Sequence, residues 1–145
     1  MFGWFRKPDK DQNIVGRMMS GLEHLMATHY KGVSDNFLRL LRDQIEEAFA
    51  REDRPPSEIV QALHHLFIES TNNLRYTMNA DIEAAFSEWT DTFEPRSKQL
   101  WAQLVDQKID VFLAELLADG TRILDAEAKR VKEADNRWMA KNLRR

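Results

Sequence analysis

No cysteine occurs among the 145 residues of the chain. This absence excludes disulfide bonds, thiolate metal sites and cysteine nucleophiles. No apolar run approaches the roughly 18 consecutive residues that a membrane-spanning helix needs, and the amino terminus lacks the basic region, apolar stretch and cleavage site of a signal peptide. We therefore expect a cytoplasmic protein without a membrane span.

Glycine and proline are also scarce, with five glycines and four prolines in the chain. No glycine lies between Gly32 and Gly120, and Pro95 is the single proline between Pro56 and Gly120. Apolar residues recur every three or four positions through this stretch, which is typical of helices that bury one face. Because 145 residues fit one domain, the sequence predicts an all-α, single-domain bundle of five or six mostly antiparallel helices.

The amino-terminal third of the chain predicts an arm followed by two helices. Residues 1–10 form an apolar and basic arm, and residues 11–145 form the helical bundle domain. Apolar positions in residues 11–31 share one helical face, and Gly32 is a typical helix stop. Ser34 then offers an N-cap for a second helix, which we expect to continue as far as the next prolines.

The rest of the chain predicts further helices. Residues 57–93 carry a continuous apolar stripe that fits one long helix or two, because polar residues such as Asp81 can cap a new start. Pro95 opens the helix with the cleanest amphipathic pattern, which we expect at the centre of the core and which Gly120 ends or bends. A last helix over about residues 121–143 has a thinner apolar stripe among many charges.

The net charge of −3 conceals a separation of charge along the chain. Residues 1–10 carry +2 and residues 126–145 carry +4, so that residues 11–125 carry −9. Within this acidic body, Ser57–Glu94 has seven acidic residues and one basic residue, Arg75. The acidic body would repel phosphate, which disfavours direct binding of nucleic acid by the chain.

Four carboxylates of this segment lie opposite its apolar face and form a predicted acidic face: Asp81, Glu83, Glu88 and Asp91. Such a patch can steer a basic protein partner by electrostatic attraction. The leading hypothesis is therefore a non-enzymatic protein–protein interaction module, such as an inhibitor, an immunity-type protein or an adaptor. Pairing of these acids with the basic last helix, or a role in solubility alone, are the alternatives for the same charges.

The four histidines are the residues from which an enzyme or a metal-dependent sensor could be built. His29 falls within the apolar stripe of the first helix, which predicts a core position. His64 and His65 are adjacent and point in different directions, whereas His65 and Glu69 share one helical face. No Glu-x-x-His sequence of the kind that diiron bundles use occurs anywhere. No metal or cofactor is therefore predicted, and a histidine- or metal-dependent enzyme is the second hypothesis.

Two further segments suggest other contacts. Residues 1–7 combine aromatic and basic side chains, and a membrane-peripheral protein that this arm anchors is a third hypothesis. The small residues Gly16, Ser20 and Ala27 lie roughly together on the first helix, where they would permit another helix to approach closely. A homodimer contact through this face is the corresponding expectation.

Overall fold

The computed structural model describes residues 10–51 and 54–143, and this part of the chain is all-helical without a strand. It forms four helices: α1, which joins Lys10–Leu25, the π-helical segment Met26–Tyr30 and Lys31–Arg51 without a break; α2, Pro56–Thr90; α3, Pro95–Ala126; and α4, Ala128–Asn142. The predicted all-α class is confirmed. The predicted count of five or six helices is wrong, because two expected breaks are absent.

The first absent break is the helix stop that we expected at Gly32. Residues Lys31–Arg51 are α-helical, so that Gly32 and Ser34 both lie inside α1 rather than at a stop and an N-cap. A glycine inside a helix costs only about 1 kcal/mol relative to alanine. A break would instead leave unpaired backbone groups at two new helix ends, and the unbroken helix is the better solution.

A π-helical segment in α1 decides which side chains are buried after it. Leu22 is buried, and in a regular α-helix His29, two turns later, would share its face. The wider π turn takes in one more residue and brings Tyr30 to that face instead. His29 is exposed, with its ring edge-on to Tyr30 at a centroid distance of 4.9 Å. The prediction of a core His29 is therefore wrong.

α2 resolves the open question about residues 57–93, because Pro56–Thr90 is one unbroken helix. Pro56 occupies the first turn, where its missing N–H needs no partner. The polar residues that argued for a break, such as Asn72 and Asn73, lie on the exposed side. Thr71 is buried, but its hydroxyl donates to the Phe67 carbonyl oxygen at 2.8 Å and so leaves no unsatisfied group.

α3 continues through Gly120, where the sequence predicted an end or a bend. Gly120 is buried, and the ring of Phe67 from α2 occupies the space that a side chain there would need. The glycine therefore serves the close packing of two helices. α3 ends at Ala126, and α4 begins at Ala128 rather than near residue 121.

The described residues divide into two compact units. The first unit contains residues 10–31 and Arg75–Phe112. In it, the backbone N–H of Glu94 donates to Asp11 at 3.3 Å, and Lys108 contacts Glu23 at 3.3 Å, so that α1 and α3 run in the same direction. Its core consists of Val15, Met18, Leu22, Tyr30, Met78, Ile82, Phe86, Phe93, Trp101, Val105 and Ile109.

The second unit contains residues 32–74 and 113–143. The backbone N–H of Ser57 donates to the Asp135 carboxylate at 3.0 Å, which attaches α4 to the start of α2. The core of this unit consists of Leu41, Ile45, Ile59, Leu63, Phe67, Leu74, Leu113, Leu116 and Leu124. The boundary of a single bundle domain at residues 11–145 stays a prediction.

Candidate functional site

The four carboxylates of the acidic face are all exposed. Asp81, Glu83 and Glu88 lie on α2, and Asp91 lies in the turn that follows it. Within the described part of the chain, none of the four forms an ion pair within 4.0 Å. Their charge is therefore directed towards solvent.

The one base in the surrounding segment does not offset this charge. Arg75 contacts the carboxylate of Asp110 on α3 at 2.5 Å. An arginine held by a carboxylate outside the face contributes little positive potential to the face itself. The local excess of negative charge that the sequence shows thus persists in the folded protein.

The acidic face has two flanks on α2. Asp81 and Glu88 are seven residues apart and share one side of the helix. Glu83 lies roughly 200° around the helix from Asp81, on the side that α3 adjoins. The structure therefore does not gather the predicted residues into one cluster.

Asp81 acts on the buried ring of Tyr30. The Tyr30 side chain is only 2% exposed and packs edge-on against Phe112 of α3 at a centroid distance of 5.9 Å. Burial, and secondly the negative charge of Asp81, raise the pKa of the Tyr30 phenol above its ordinary value of 10.0. The neutral phenol is thus the form that this site favours.

Glu83 and Asp91 lie together at a cavity of about 390 Å³ in the first unit. Asp106 of α3 adds a third carboxylate to its lining, and Lys98 is the one base among the lining residues. The apolar part of the lining is supplied by the buried side chains Ile82, Trp101 and Val105. The cavity therefore combines an apolar floor with a net negative rim, which suits a cationic side chain with an aliphatic stem.

Two aromatic side chains near the acidic face are exposed, which the sequence pattern did not predict. Trp89 belongs to the apolar stripe, yet it is 47% exposed and packs only against Phe86, at a centroid distance of 6.1 Å. Tyr76 is 75% exposed on α2. Exposed tryptophan and tyrosine are the side chains in which interfaces are enriched. The position of Trp89 in the last turn of its helix was the available signal.

The histidines form no comparable site among the described side chains. His65 contacts Glu69 at 3.2 Å, and both side chains are well exposed. His64 is half-buried. In the described ranges, no group of three or more histidine, aspartate or glutamate side chains is placed to hold a metal ion. The histidine-dependent hypothesis stays a prediction, and elemental analysis of purified protein would test its metal-dependent form.

The other two predicted contacts stay predictions. Gly16, Ser20 and Ala27 are exposed, and a Cβ atom on Gly16 would have no neighbour within 4 Å, so that the face has room for a second helix. The arm of residues 1–7 lies outside the described residues. Among the helices that the structure describes, none has both the length and the apolar character to cross a bilayer. Comparison with models of protein families, with curated proteins and with solved structures found no match for the chain.

Proposed function

We propose that this protein is a non-enzymatic protein–protein interaction module that presents the acidic face of α2, residues 81–94, to a basic protein partner. The observation that supports it best is the exposure of four carboxylates that form no ion pair with a described side chain. A cysteine-free chain suits a partner in the cytoplasm.

The charge of this face accounts for the choice of a basic partner. Unpaired carboxylates on one surface create a negative potential that accelerates the encounter with a positively charged protein and orients it. The same potential repels nucleic acid, which carries phosphate charges of equal sign. A protein partner with lysine or arginine side chains at its surface is therefore the class that the face suits.

The cavity beside Glu83 gives such a partner a specific contact. A lysine or arginine side chain that enters it would meet the carboxylates of Glu83 and Asp91 at the rim and the ring of Trp101 at the floor. Trp89 and Tyr76 then supply apolar contact area at low conformational cost. The face thus offers both long-range attraction and short-range packing.

A comparative pull-down from cell extract tests the proposal. The bait is the full chain, and the test variant combines Glu83→Lys, Glu88→Lys and Asp91→Lys. The control variant makes the same change in net charge at three other exposed carboxylates, Glu115, Asp125 and Glu133. Captured proteins are quantified by mass spectrometry at low and at high salt, and circular dichroism checks that all baits are folded.

We expect the wild-type chain and the control variant to capture the same basic protein at low salt, and the test variant to lose it. High salt should release that protein from the wild-type chain. Equal capture by all three baits, capture that salt does not affect, or no specific capture by the wild-type chain would contradict the proposal.

A further inference from the structure

The basic side chains of α4 face a cavity. Arg130, Ala134, Arg137, Trp138 and Lys141 follow the three- and four-residue spacing of one helical face, and all five line a cavity of about 270 Å³ in the second unit. The sequence pattern assigned most of these charges to the wet side of the helix. They instead converge on a concave site.

The floor of this cavity, which we call the basic cavity, is apolar. Pro56 and Ile59 at the start of α2 are buried and line it. Phe49 of α1 and Trp138 of α4 are half-buried and form opposite parts of the lining. An apolar or aromatic group of a ligand would thus be removed from water on several sides.

The rim of the basic cavity carries four cations and one carboxylate. Arg54, Arg130, Arg137 and Lys141 are the cations, and they come from two separate segments of the chain. The carboxylate of Glu127 lies 2.9 Å from Arg130, which satisfies part of one guanidinium. The remaining excess of positive charge is available to an anion, and arginine holds phosphate, carboxylate and sulfonate oxygens with paired hydrogen bonds.

The cavity is held open by fixed contacts of α4. Asp135, on the same helix, accepts the backbone N–H of Ser57 at 3.0 Å. Glu127 is only 17% exposed, and its contact with Arg130 fixes the start of α4. These contacts position the cationic side chains before a ligand arrives, which lowers the entropy cost of binding.

An adjacent cavity of about 720 Å³ extends the apolar path. The two cavities share Phe49, Glu127 and Arg130 in their linings. The larger one adds Ile45 and Ile123 as apolar contacts. A ligand longer than the basic cavity would therefore find further apolar surface beyond Phe49.

We propose that the basic cavity binds a soluble amphiphilic anion, in which an aromatic or aliphatic body carries a phosphate, carboxylate or sulfonate group. Arg137 and Lys141 would hold the charged group, and Phe49, Ile59 and Trp138 would enclose the body. The volume is close to the lower end of small-molecule sites, which is roughly 300 Å³. The apolar floor is recessed behind the cations, a shape that suits a free molecule better than the flat surface of a membrane.

Titration of the full chain with anilinonaphthalene sulfonate, an aromatic anion, tests this site. Phenylnaphthylamine, which has the same aromatic body without the sulfonate, is the matched probe. The test variants are Arg137→Gln with Lys141→Gln, which removes charge, and Ala134→Leu, which fills space without changing charge. The control variant combines Arg39→Gln and Arg51→Gln, two exposed bases of the same unit that are absent from both cavity linings.

We expect the sulfonate to bind the wild-type chain and the control variant at one site, and each test variant to bind it roughly ten-fold or more weakly. The neutral probe should bind weakly and should not distinguish the charge variant from the wild-type chain. Chemical shifts of the Trp138 indole should move on titration with the sulfonate. Equal affinity of all variants for the sulfonate, or equal affinity for both probes, would overturn the proposal.

Flotation with vesicles of phosphatidylglycerol separates a free anion from a lipid surface. Wild-type chain and charge variant should remain equally unbound to the vesicles. Vesicle binding by the wild-type chain that Arg137→Gln with Lys141→Gln abolishes would overturn the assignment to a soluble ligand and would assign the site to a membrane.

Discussion

The ring of Phe67 on α2 lies against the backbone of Gly120 on α3 in the second unit. A Cβ atom built on Gly120 would lie 2.9 Å from Phe67 Cδ1 and closer still to two other ring atoms. Real Cβ atoms do not approach their neighbours so closely, and both residues are buried. Gly120→Ala should therefore lower the free energy of unfolding by about 1 to 3 kcal/mol, as overpacking of a core does. Urea denaturation measures this change.

Gly16 provides the matched control for Gly120. It is exposed in α1, and no atom lies within 4 Å of the position that its Cβ would take. Gly16→Ala should raise the free energy of unfolding by about 0.5 to 1 kcal/mol, because alanine is the better helix former. If both substitutions change stability in the same direction, the close approach of Phe67 does not constrain Gly120.

The π-helical segment predicts an unusual tolerance to deletion. Its wide turn holds one residue more than an α-helical turn, and Ala27 in this segment is exposed. Deletion of Ala27 should convert the segment to regular α-helix and keep Tyr30 on the buried face. We expect a folded protein with thermal unfolding close to that of the wild-type chain by circular dichroism.

Deletion of Gln44 is the control for this prediction. Gln44 is exposed in the regular part of α1, between the buried residues Leu41 and Ile45. Its removal would turn one part of the buried face towards water, at about 1.5 to 3 kcal/mol for each displaced side chain. Such losses approach the total stability of a domain, about 5 to 15 kcal/mol. Equal effects of the two deletions would contradict the role that we assign to the π turn.

The raised pKa of Tyr30 predicts a loss of stability in alkali. The folded protein holds the phenol proton more tightly than the unfolded chain, whose tyrosine has the ordinary pKa of 10.0. Stability from this group is therefore complete below pH 10.0 and falls as the pH rises through the raised value. Urea denaturation below and above this pH should show a smaller alkaline loss for Tyr30→Phe than for the wild-type chain. Equal losses would show that other groups cause the effect.

The contact between Asp135 and the start of α2 predicts a stabilising role for this carboxylate. It accepts the Ser57 N–H at the amino end of a helix, where backbone donors lack partners within the helix. Asp135→Ala should lower the free energy of unfolding by about 0.5 to 2 kcal/mol, as the loss of a helix cap does. Glu133→Ala, at an exposed position of α4, should have little effect in the same urea titration.

Much of the fold was predictable because apolar spacing reports which helical face is buried. Ile82 and Ile109, which the pattern assigned to the core, are both 0% exposed. The exposure of Glu83 and Glu88 follows from the same pattern, since they lie away from the apolar stripe. These properties depend only on local periodicity, which a single sequence contains.

Other features depend on packing between segments that are distant in sequence. Gly120 resembles a helix stop locally, and only the ring of Phe67 shows why a glycine is needed inside the helix. The π turn that exposes His29 has no distinct sequence signature, because the gain comes from burying Tyr30 against Phe112. The cations of α4 were assigned to solvent because hydrophobicity alone cannot show that Arg137 lines a cavity.

The central claim is that the acidic face of residues 81–94 accelerates the binding of a basic partner. The most direct test is the association rate of the captured protein, measured over a range of ionic strength for the wild-type chain and for the combined Glu83→Lys, Glu88→Lys and Asp91→Lys variant. We predict that the wild-type rate falls steeply with added salt, and that the variant associates at least about ten-fold more slowly at low salt with a much flatter dependence. Identical rates and identical salt dependence for the two proteins would contradict the account.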